Sequence, residues 1–251
     1  MKSEQHSYII SRYEFKYILD SIEAERLQNY MEKIGLESDD YSNKGPYVVN
    51  SLYFDTPFLD DYYDKDASLL TRKKVRARIY GDNWSNNHSL IWLEIKNKRN
   101  FHIIKERLGI SADDWESFIS TFNPFLITRD NLTQKDKEFI DKFSHLYIKG
   151  RYRPHIIVKY RRAAFLDSFI SKIRITFDSN ISACFANEDF REDFMTPVHF
   201  GSTIMEAKFN DKLPWWFTKA VENFDLKRSD FSKYSRSVAM LRNSYKIPLS
   251  R

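Results

Sequence analysis

The chain has 251 residues, a formal net charge of +5 and a single cysteine, Cys184. This length fits one large domain or two small ones, and one cysteine excludes an internal disulfide framework and a cysteine-rich metal site. No apolar run approaches the roughly 20 residues that cross a bilayer. Residues 1–8 lack the apolar core of a signal peptide, so we expect a cytoplasmic protein with no membrane span of its own.

Strand-like and helical patterns alternate along the chain. We predict strands over residues 9–19, 47–54, 74–80, 90–98, 101–108, 155–166, 172–178 and 203–209, with residues 97–100 turning one hairpin. We predict helices over residues 22–34, 111–122 and 133–146 and from Pro214 onward. Residues 58–66 form a short helix or a loop, and residues 232–241 fit either a helix or a strand. No repeat or linker divides the chain, which predicts one domain over residues 1–251.

Seven short stretches place Arg, Lys or Glu at every second residue of strand-like sequence. They read RYEFK (12–16), KVRAR (74–78), EIKNK (94–98), KER (105–107), YRR (160–162), KIR (172–174) and EAK (206–208). A strand points alternate side chains to opposite faces, so each stretch puts its charges on one face. A single strand of this kind is an ordinary solvated sheet face. Seven of them, rich in the Arg that suits phosphate recognition, predict a charged face that surrounds a polyanion.

This pattern predicts the α+β fold class and an architecture within it. The residues between the charges are apolar and can pack against helices, which leaves the charged face pointing inward. A closed barrel of about eight strands has room for a ligand and no exposed edge. We therefore expect an antiparallel β-barrel tunnel with helices packed outside.

Glutamates on the charged faces suggest a metal. Glu14, Glu94 and Glu206 share a face with the neighbouring cations by parity. Mg²⁺ and Mn²⁺ bind carboxylate oxygens and share such sites with phosphates. The alternative is that these glutamates pair with neighbouring Lys and Arg. Glu206 is the strongest metal candidate, because its strand is otherwise poor in acidic residues.

The RYEFKY opening (residues 12–17) resembles the E-x-K signature of the CYTH superfamily, the triphosphate tunnel metalloenzymes. The series as a whole is similar to the VTC domain, the polyphosphate polymerase domain of the vacuolar transporter chaperone. The similar segments are RYEFKY (12–17), SLYFDT (51–56), VRAR (75–78), LEIK (93–96), YRRAAF (160–165), RITFD (174–178), MEAK (205–208) and SKYS (232–235). The resemblance implies transfer of the ATP γ-phosphate to a growing polyphosphate chain with Mn²⁺ or Mg²⁺.

The resemblance also implies a set of site residues. The phosphate ligands of the tunnel are expected at Lys16, Arg76, Arg78, Lys96, Arg162, Arg174 and Lys233. Further substrate contacts are expected at Arg12, Lys98, Tyr160, Lys208 and Arg236, and the metal ligands at Glu206, Glu14 and Glu94. The chain departs from the eukaryotic members because we find no phosphate-sensing accessory domain and no transmembrane segment in it.

Alternative functions stay open at this point. The same tunnel could hydrolyse inorganic or nucleoside triphosphate, or bind polyphosphate without catalysis. The expected partners are ATP or another triphosphate, and polyphosphate or pyrophosphate. We expect no nucleic-acid partner, because the basic residues alternate within strands and match no nucleic-acid-binding motif. The sequence does not fix the oligomeric state.

Overall fold

A computed structural model describes residues 8–42, 44–82, 84, 90–99, 102–121, 127, 132–167, 172–186 and 194–246. Its strands are β1 (Tyr8–Asp20), β2 (Glu37–Ser38), β3 (Tyr47–Asp55), β4 (Thr71–Tyr80), β5 (Ile91–Arg99), β6 (His102–Ile110), β7 (Arg153–Leu166), β8 (Arg174–Phe185), β9 (Thr196–Pro197) and β10 (Ser202–Phe209). Its helices are α1 (Ser21–Lys33), α2 (Asp60–Asp66), α3 (Ala112–Thr121), α4 (Gln134–Ile148), α5 (Trp215–Asn223) and α6 (Lys233–Ser244).

Eight of these strands close an antiparallel barrel. They pair in the order β7-β3-β4-β5-β6-β1-β10-β8, and β8 pairs back with β7. The two-residue strands β2 and β9 add to β7 and β8. The fold class and the barrel tunnel predicted from the charge alternation are therefore confirmed.

Short polar motifs start the helices where the sequence places them. Asp20 caps α1 by accepting a hydrogen bond from the Glu23 N–H at 2.7 Å, and the Glu23 carboxylate accepts from the Asp20 N–H. Thr133 and Asp136 form the same reciprocal pair at the start of α4. Such pairs satisfy backbone donors that the first turn leaves free. The ambiguous residues 232–241 lie in α6 and its N-cap, Ser232.

The outward barrel face packs against helices on two sides. One apolar cluster joins β3 to β6 with α3 and α4, including Leu93, Phe118 and Phe143. A second joins β1, β8 and β10 with α1 and α5, including Leu27 and Phe217. Because these side chains alternate with the charged ones along each strand, burying them turns the charges into the lumen.

Part of the barrel interior is apolar. Inward residues of β3, β7 and β8, among them Val49, Val158 and Ala183, pack against Val238 and Leu241 of α6. We predicted the strand over residues 172–178, but β8 continues to Phe185. This extension and α6 fill one region of the interior and confine the charged lumen to the rest.

Some predicted segments lie partly outside the described residues. These are the β5–β6 turn at residues 100 and 101, the end of the predicted helix over residues 111–122, and both ends of the predicted domain. Within the described residues, no helix combines the length and apolarity that a bilayer crossing requires.

Candidate functional site

The charged lumen contains a cavity of about 380 Å³, called here the first cavity. Side chains from all eight barrel strands and from α6 line it. Twelve of the predicted site residues line this cavity: Arg12, Glu14, Lys16, Arg76, Arg78, Lys96, Tyr160, Arg162, Arg174, Glu206, Lys208 and Lys233. Strand pairing explains this convergence, because directly opposed residues on neighbouring strands point to the same side of a sheet.

Glu206 lies among four cations. Its carboxylate oxygens are 2.6 Å from Lys208 Nζ and 2.8 Å from Lys233 Nζ, with two more distant neighbours, Lys16 and Arg162, at 3.7 and 4.0 Å. Burial opposes ionisation, but Lys208 and Lys233 outweigh it and hold the pKa of Glu206 well below its usual range. Glu206 is therefore an anion that faces the cavity at neutral pH.

A buried ion cluster of Arg162, Asp178 and Lys233 lies next to Glu206. The Arg162 guanidinium donates two hydrogen bonds to Asp178, at 2.6 and 2.7 Å, and Lys233 Nζ lies 2.6 Å from the same carboxylate. Burial would lower the pKa of Lys233, but Asp178 and Glu206 raise it above its usual value. Because breaking a buried pair leaves an uncompensated charge, this cluster fixes Arg162 and Lys233 in the lumen.

Two further glutamates pair with lumen cations. Glu14 lies 2.9 Å from Lys96 Nζ and 3.3 Å from Lys16 Nζ. Glu94 accepts from Arg76 Nε at 2.6 Å and also pairs with Lys105. Burial opposes ionisation of both glutamates, yet these cations lower the pKa of each.

Arg78 has a different environment. Its guanidinium is buried and donates to Ser51 Oγ and to the Tyr160 hydroxyl, each at 3.1 Å. Tyr160 also accepts from Arg162 Nη2 at 3.4 Å. No carboxylate of the described residues lies within ion-pair distance of Arg78. The positive charge of Arg78 is therefore less compensated by paired carboxylates than that of Arg162.

Residues Arg174 and Arg12 lie on the side of the first cavity that Asp39 and Tyr47 line. Arg174 pairs with Asp39 and donates to the Tyr47 hydroxyl at 3.3 Å. Burial and the nearby Arg174 lower the pKa of Arg12. Asp39 comes from the loop after β2, so strand parity could not have assigned it to the site.

Three cations of the first cavity are missing from the sequence-derived site list: Lys74, Lys105 and Arg107. All three lie in alternating charged stretches of the sequence. Once β5 and β6 are recognised as a hairpin, its register places Lys105 opposite Lys96 and Arg107 opposite Glu94. The hairpin register could therefore have assigned Lys105 and Arg107 to the lumen from the sequence.

A second cavity of about 540 Å³ adjoins the first. Six residues line both: Glu14, Lys16, Lys74, Lys96, Ile103 and Ser232. The predicted contact Lys98 lines the second cavity, whereas Arg236 is exposed on α6 and lines neither. The two cavities therefore form a continuous lumen with cations along its length.

The acidic residues suit a metal that shares its ligands with phosphate. No group of three His, Cys, Asp or Glu side chains in the described part of the chain could hold a metal alone. Mg²⁺ typically binds through one or two carboxylates together with substrate phosphates. Glu206 and Glu14, two ionised carboxylates lining the first cavity, fit that chemistry, whereas Glu94 is fully buried between Arg76 and Lys105.

Comparison with protein families identifies the class. The family model of the VTC domain matches residues 11–242, and the chain belongs to this family. No curated protein sequence matches the chain.

Solved structures share its barrel fold. One is a candidate adenylyl cyclase of Hippeastrum, described as having a dominant triphosphatase activity, with 13% identity and a TM-score of 0.52. That match covers 92% of this chain and 96% of the other. A second is a candidate adenylate cyclase of Bacillus halodurans, with 12% identity and a TM-score of 0.51, covering 89% and 95% of the two chains.

Proposed function

We propose that this VTC domain transfers the γ-phosphate of ATP, or of another triphosphate, to inorganic polyphosphate within the lumen. The observation that carries the proposal is the continuity of two cation-lined cavities through six shared residues. A hydrolase needs room for a triphosphate and water. A polymerase also needs room for an acceptor chain next to the donor, and we assign that role to the second cavity.

The cations have separate roles in this proposal. Arg76, Arg78 and Arg162 hold the triphosphate, because guanidinium groups match phosphate oxygens in a bidentate manner. Their positions are fixed by Glu94, Ser51 and Asp178. The other proposed phosphate contacts are Arg12, Lys16, Lys96, Tyr160, Arg174, Lys208 and Lys233. Lys98 contacts the acceptor chain in the second cavity, and Arg236 is kept as a contact outside the lumen.

The chemical step requires alignment more than covalent help. A terminal oxygen of the acceptor chain forms a bond to the γ-phosphorus, and the bond between that phosphorus and the β,γ-bridging oxygen breaks, releasing ADP. The acceptor oxygen is ionised at neutral pH, so no strong general base is needed. Lumen cations stabilise the charge that spreads over the phosphate oxygens.

Glu206, with Glu14, which shares the neighbouring Lys16, would hold Mg²⁺ or Mn²⁺. The bound ion would supply further neutralisation of phosphate charge. Lys208 and Lys233 meanwhile keep the Glu206 carboxylate ionised and oriented toward the cavity.

The test is a product assay with purified protein. ATP is incubated with Mn²⁺ or Mg²⁺ and a pyrophosphate or short polyphosphate primer, and products are resolved on a gel. We expect long phosphate chains and ADP. Release of orthophosphate without chain growth would replace the polymerase with a triphosphatase, and binding without turnover would leave a polyphosphate-binding domain.

Glu206→Gln tests the metal assignment in the same assay. Glutamine keeps the volume but loses the charge that a hard cation requires, so metal-dependent turnover should be lost while polyanion binding largely persists. Glu106→Gln is the matched control, because Glu106 pairs with Lys142 of α4 at 2.6 Å on the outer face. Equal turnover by Glu206→Gln and wild type at limiting metal would contradict the assignment and direct attention to Glu14 or Glu94.

A further inference from the structure

The outer part of the second cavity is strongly basic. It is lined by Lys65, Arg72, Lys73, Lys98 and Arg228, together with the carboxylate of Asp230, whereas Glu14 lies where the two cavities adjoin. Partial burial and the nearby Arg72 lower the pKa of Lys98, and Asp230 acts in the opposite direction by raising it. Asp230 is therefore the carboxylate that offsets the crowded positive charge at this mouth.

Asp230 contacts two of these cations. Its Oδ2 is 2.6 Å from Lys65 Nζ and 3.7 Å from Arg72 Nη1. The side chain of Asp230 is 63% exposed, whereas those of Lys65 and Arg72 are 17% and 11% exposed. The two cations are thus sheltered in the cavity wall, while the anion that meets them faces solvent and can be displaced.

The neighbouring backbone holds Asp230 across the mouth. The Arg228 guanidinium lies 3.6 Å from the ring centroid of Phe15. The Ser229 N–H donates to the Lys16 carbonyl at 2.8 Å, and Lys16 Nζ donates to the Phe231 carbonyl at 2.8 Å. Contacts to β1 on both sides of Asp230 therefore fix its position, so that the carboxylate acts as a tethered anion.

We infer that Asp230 competes with the distal phosphates of a polyphosphate chain for Lys65 and Arg72, and so limits how strongly the lumen favours long chains over triphosphate. The inference rests on one part of the proposed function, the binding of linked phosphates in the lumen, and does not require catalysis. A carboxylate and a phosphate present similar oxygens to Lys and Arg. When a chain arrives, its phosphate oxygens replace Asp230 on both cations.

Distance along β4 makes the effect depend on chain length. Arg76 lies in the first cavity, and Arg72 is four residues away in the second. At about 3.3 Å per residue, the two positions are roughly 13 Å apart along the strand. A triphosphate bound at Arg76 occupies the first cavity, whereas a longer chain extends to Arg72 and meets Asp230.

Isothermal calorimetry on Asp230→Asn tests the inference, with sodium triphosphate and a long-chain polyphosphate as ligands and no nucleotide or metal present. Polyphosphate should bind about two- to fivefold more tightly than to wild type, the range expected for loss of one exposed ion pair. Triphosphate affinity should be unchanged. Asp225→Asn is the matched control, because Asp225 pairs with Lys227 at 3.3 Å, is exposed, and lines neither cavity.

Each outcome decides the inference. The inference is overturned if Asp230→Asn binds polyphosphate no more tightly than wild type does. It is also overturned if Asp230→Asn gains equally for triphosphate, or if Asp225→Asn gains equally for polyphosphate. Each of these outcomes leaves the proposed function standing. Failure of the wild type to bind either ligand overturns both. Thermal melting of the three proteins verifies that each is folded.

Discussion

The barrel interior has two regions built on the same alternating strands. In the charged region, Arg162, Lys233 and Asp178 form a buried ion cluster. In the apolar region, Val158 and Leu241 belong to a core between β7 and α6. The apolar region stabilises the barrel by removing surface from water. The charged region keeps cations in place at an energetic cost. The difference indicates that the apolar region serves folding and the charged region serves a ligand.

The largest expected effect comes from breaking the ion cluster. Asp178→Asn leaves Arg162 and Lys233 with less compensation in a buried site, and we expect a loss of about 3–5 kcal/mol in the free energy of unfolding. Denaturant unfolding measures this loss. Asp82→Asn is the control, since Asp82 pairs with Lys159 at an exposed position and should cost at most about 1 kcal/mol. Equal losses for the two variants would contradict the structural role of the cluster.

Truncation in the apolar region should affect stability alone. Leu241→Ala removes a fully buried side chain of α6, and we expect a loss of about 3 kcal/mol. Triphosphate affinity, measured by calorimetry well below the unfolding transition, should equal that of wild type. A large loss of affinity in the folded variant would show that the two regions are not separate.

Arg78→Met should affect affinity and spare stability. Methionine fills similar space, and the charge it removes lacks an ion-paired carboxylate among the described residues. We expect triphosphate binding to weaken by about 1.5–3 kcal/mol, the value of a charge-assisted hydrogen bond, with an unchanged or raised melting temperature. Undiminished affinity would exclude Arg78 as a phosphate ligand.

The smallest effect concerns protonation of Lys74. Burial, followed by Lys16 and Lys96, holds the pKa of Lys74 well below its usual range. A bound polyanion raises this pKa, so binding takes up a proton, and affinity falls as pH rises through the lowered pKa. One unit of pKa change corresponds to about tenfold in affinity.

Lys74→Arg isolates this effect, because arginine stays charged and titration of the ligand is common to both proteins. Calorimetry at mildly alkaline pH, in buffers of different ionisation enthalpy, should show more proton uptake by wild type than by the variant. Equal uptake would assign the protons to other groups.

Local sequence patterns predicted most of the fold. Alternation around Arg76 and Lys96 identified inward faces, because burial of the residues between them leaves one orientation for the charges. The capping residue Thr133 located a helix start. The interior position of α6 was not predictable, because residues 232–241 fit two periodicities and their partners, such as Val158, are distant in the chain.

The candidate site was predictable to the same extent. Residues on alternating strands, such as Arg162 and Glu206, were identified by parity and by the family resemblance. Asp39 meets Arg174 through a loop whose path depends on tertiary packing. Asp230 reaches the second cavity in the same way. Such contacts require coordinates, since no local pattern encodes them.

Calorimetric comparison of triphosphate with orthophosphate on the wild-type protein tests the central claim most directly. Linked phosphates can engage several lumen cations at once, and two additional charge-assisted bonds at about 1.5 kcal/mol each correspond to roughly 100-fold. Triphosphate should therefore bind at least about 100-fold more tightly than orthophosphate. Equal affinity for the two ligands would contradict a lumen built for linked phosphates.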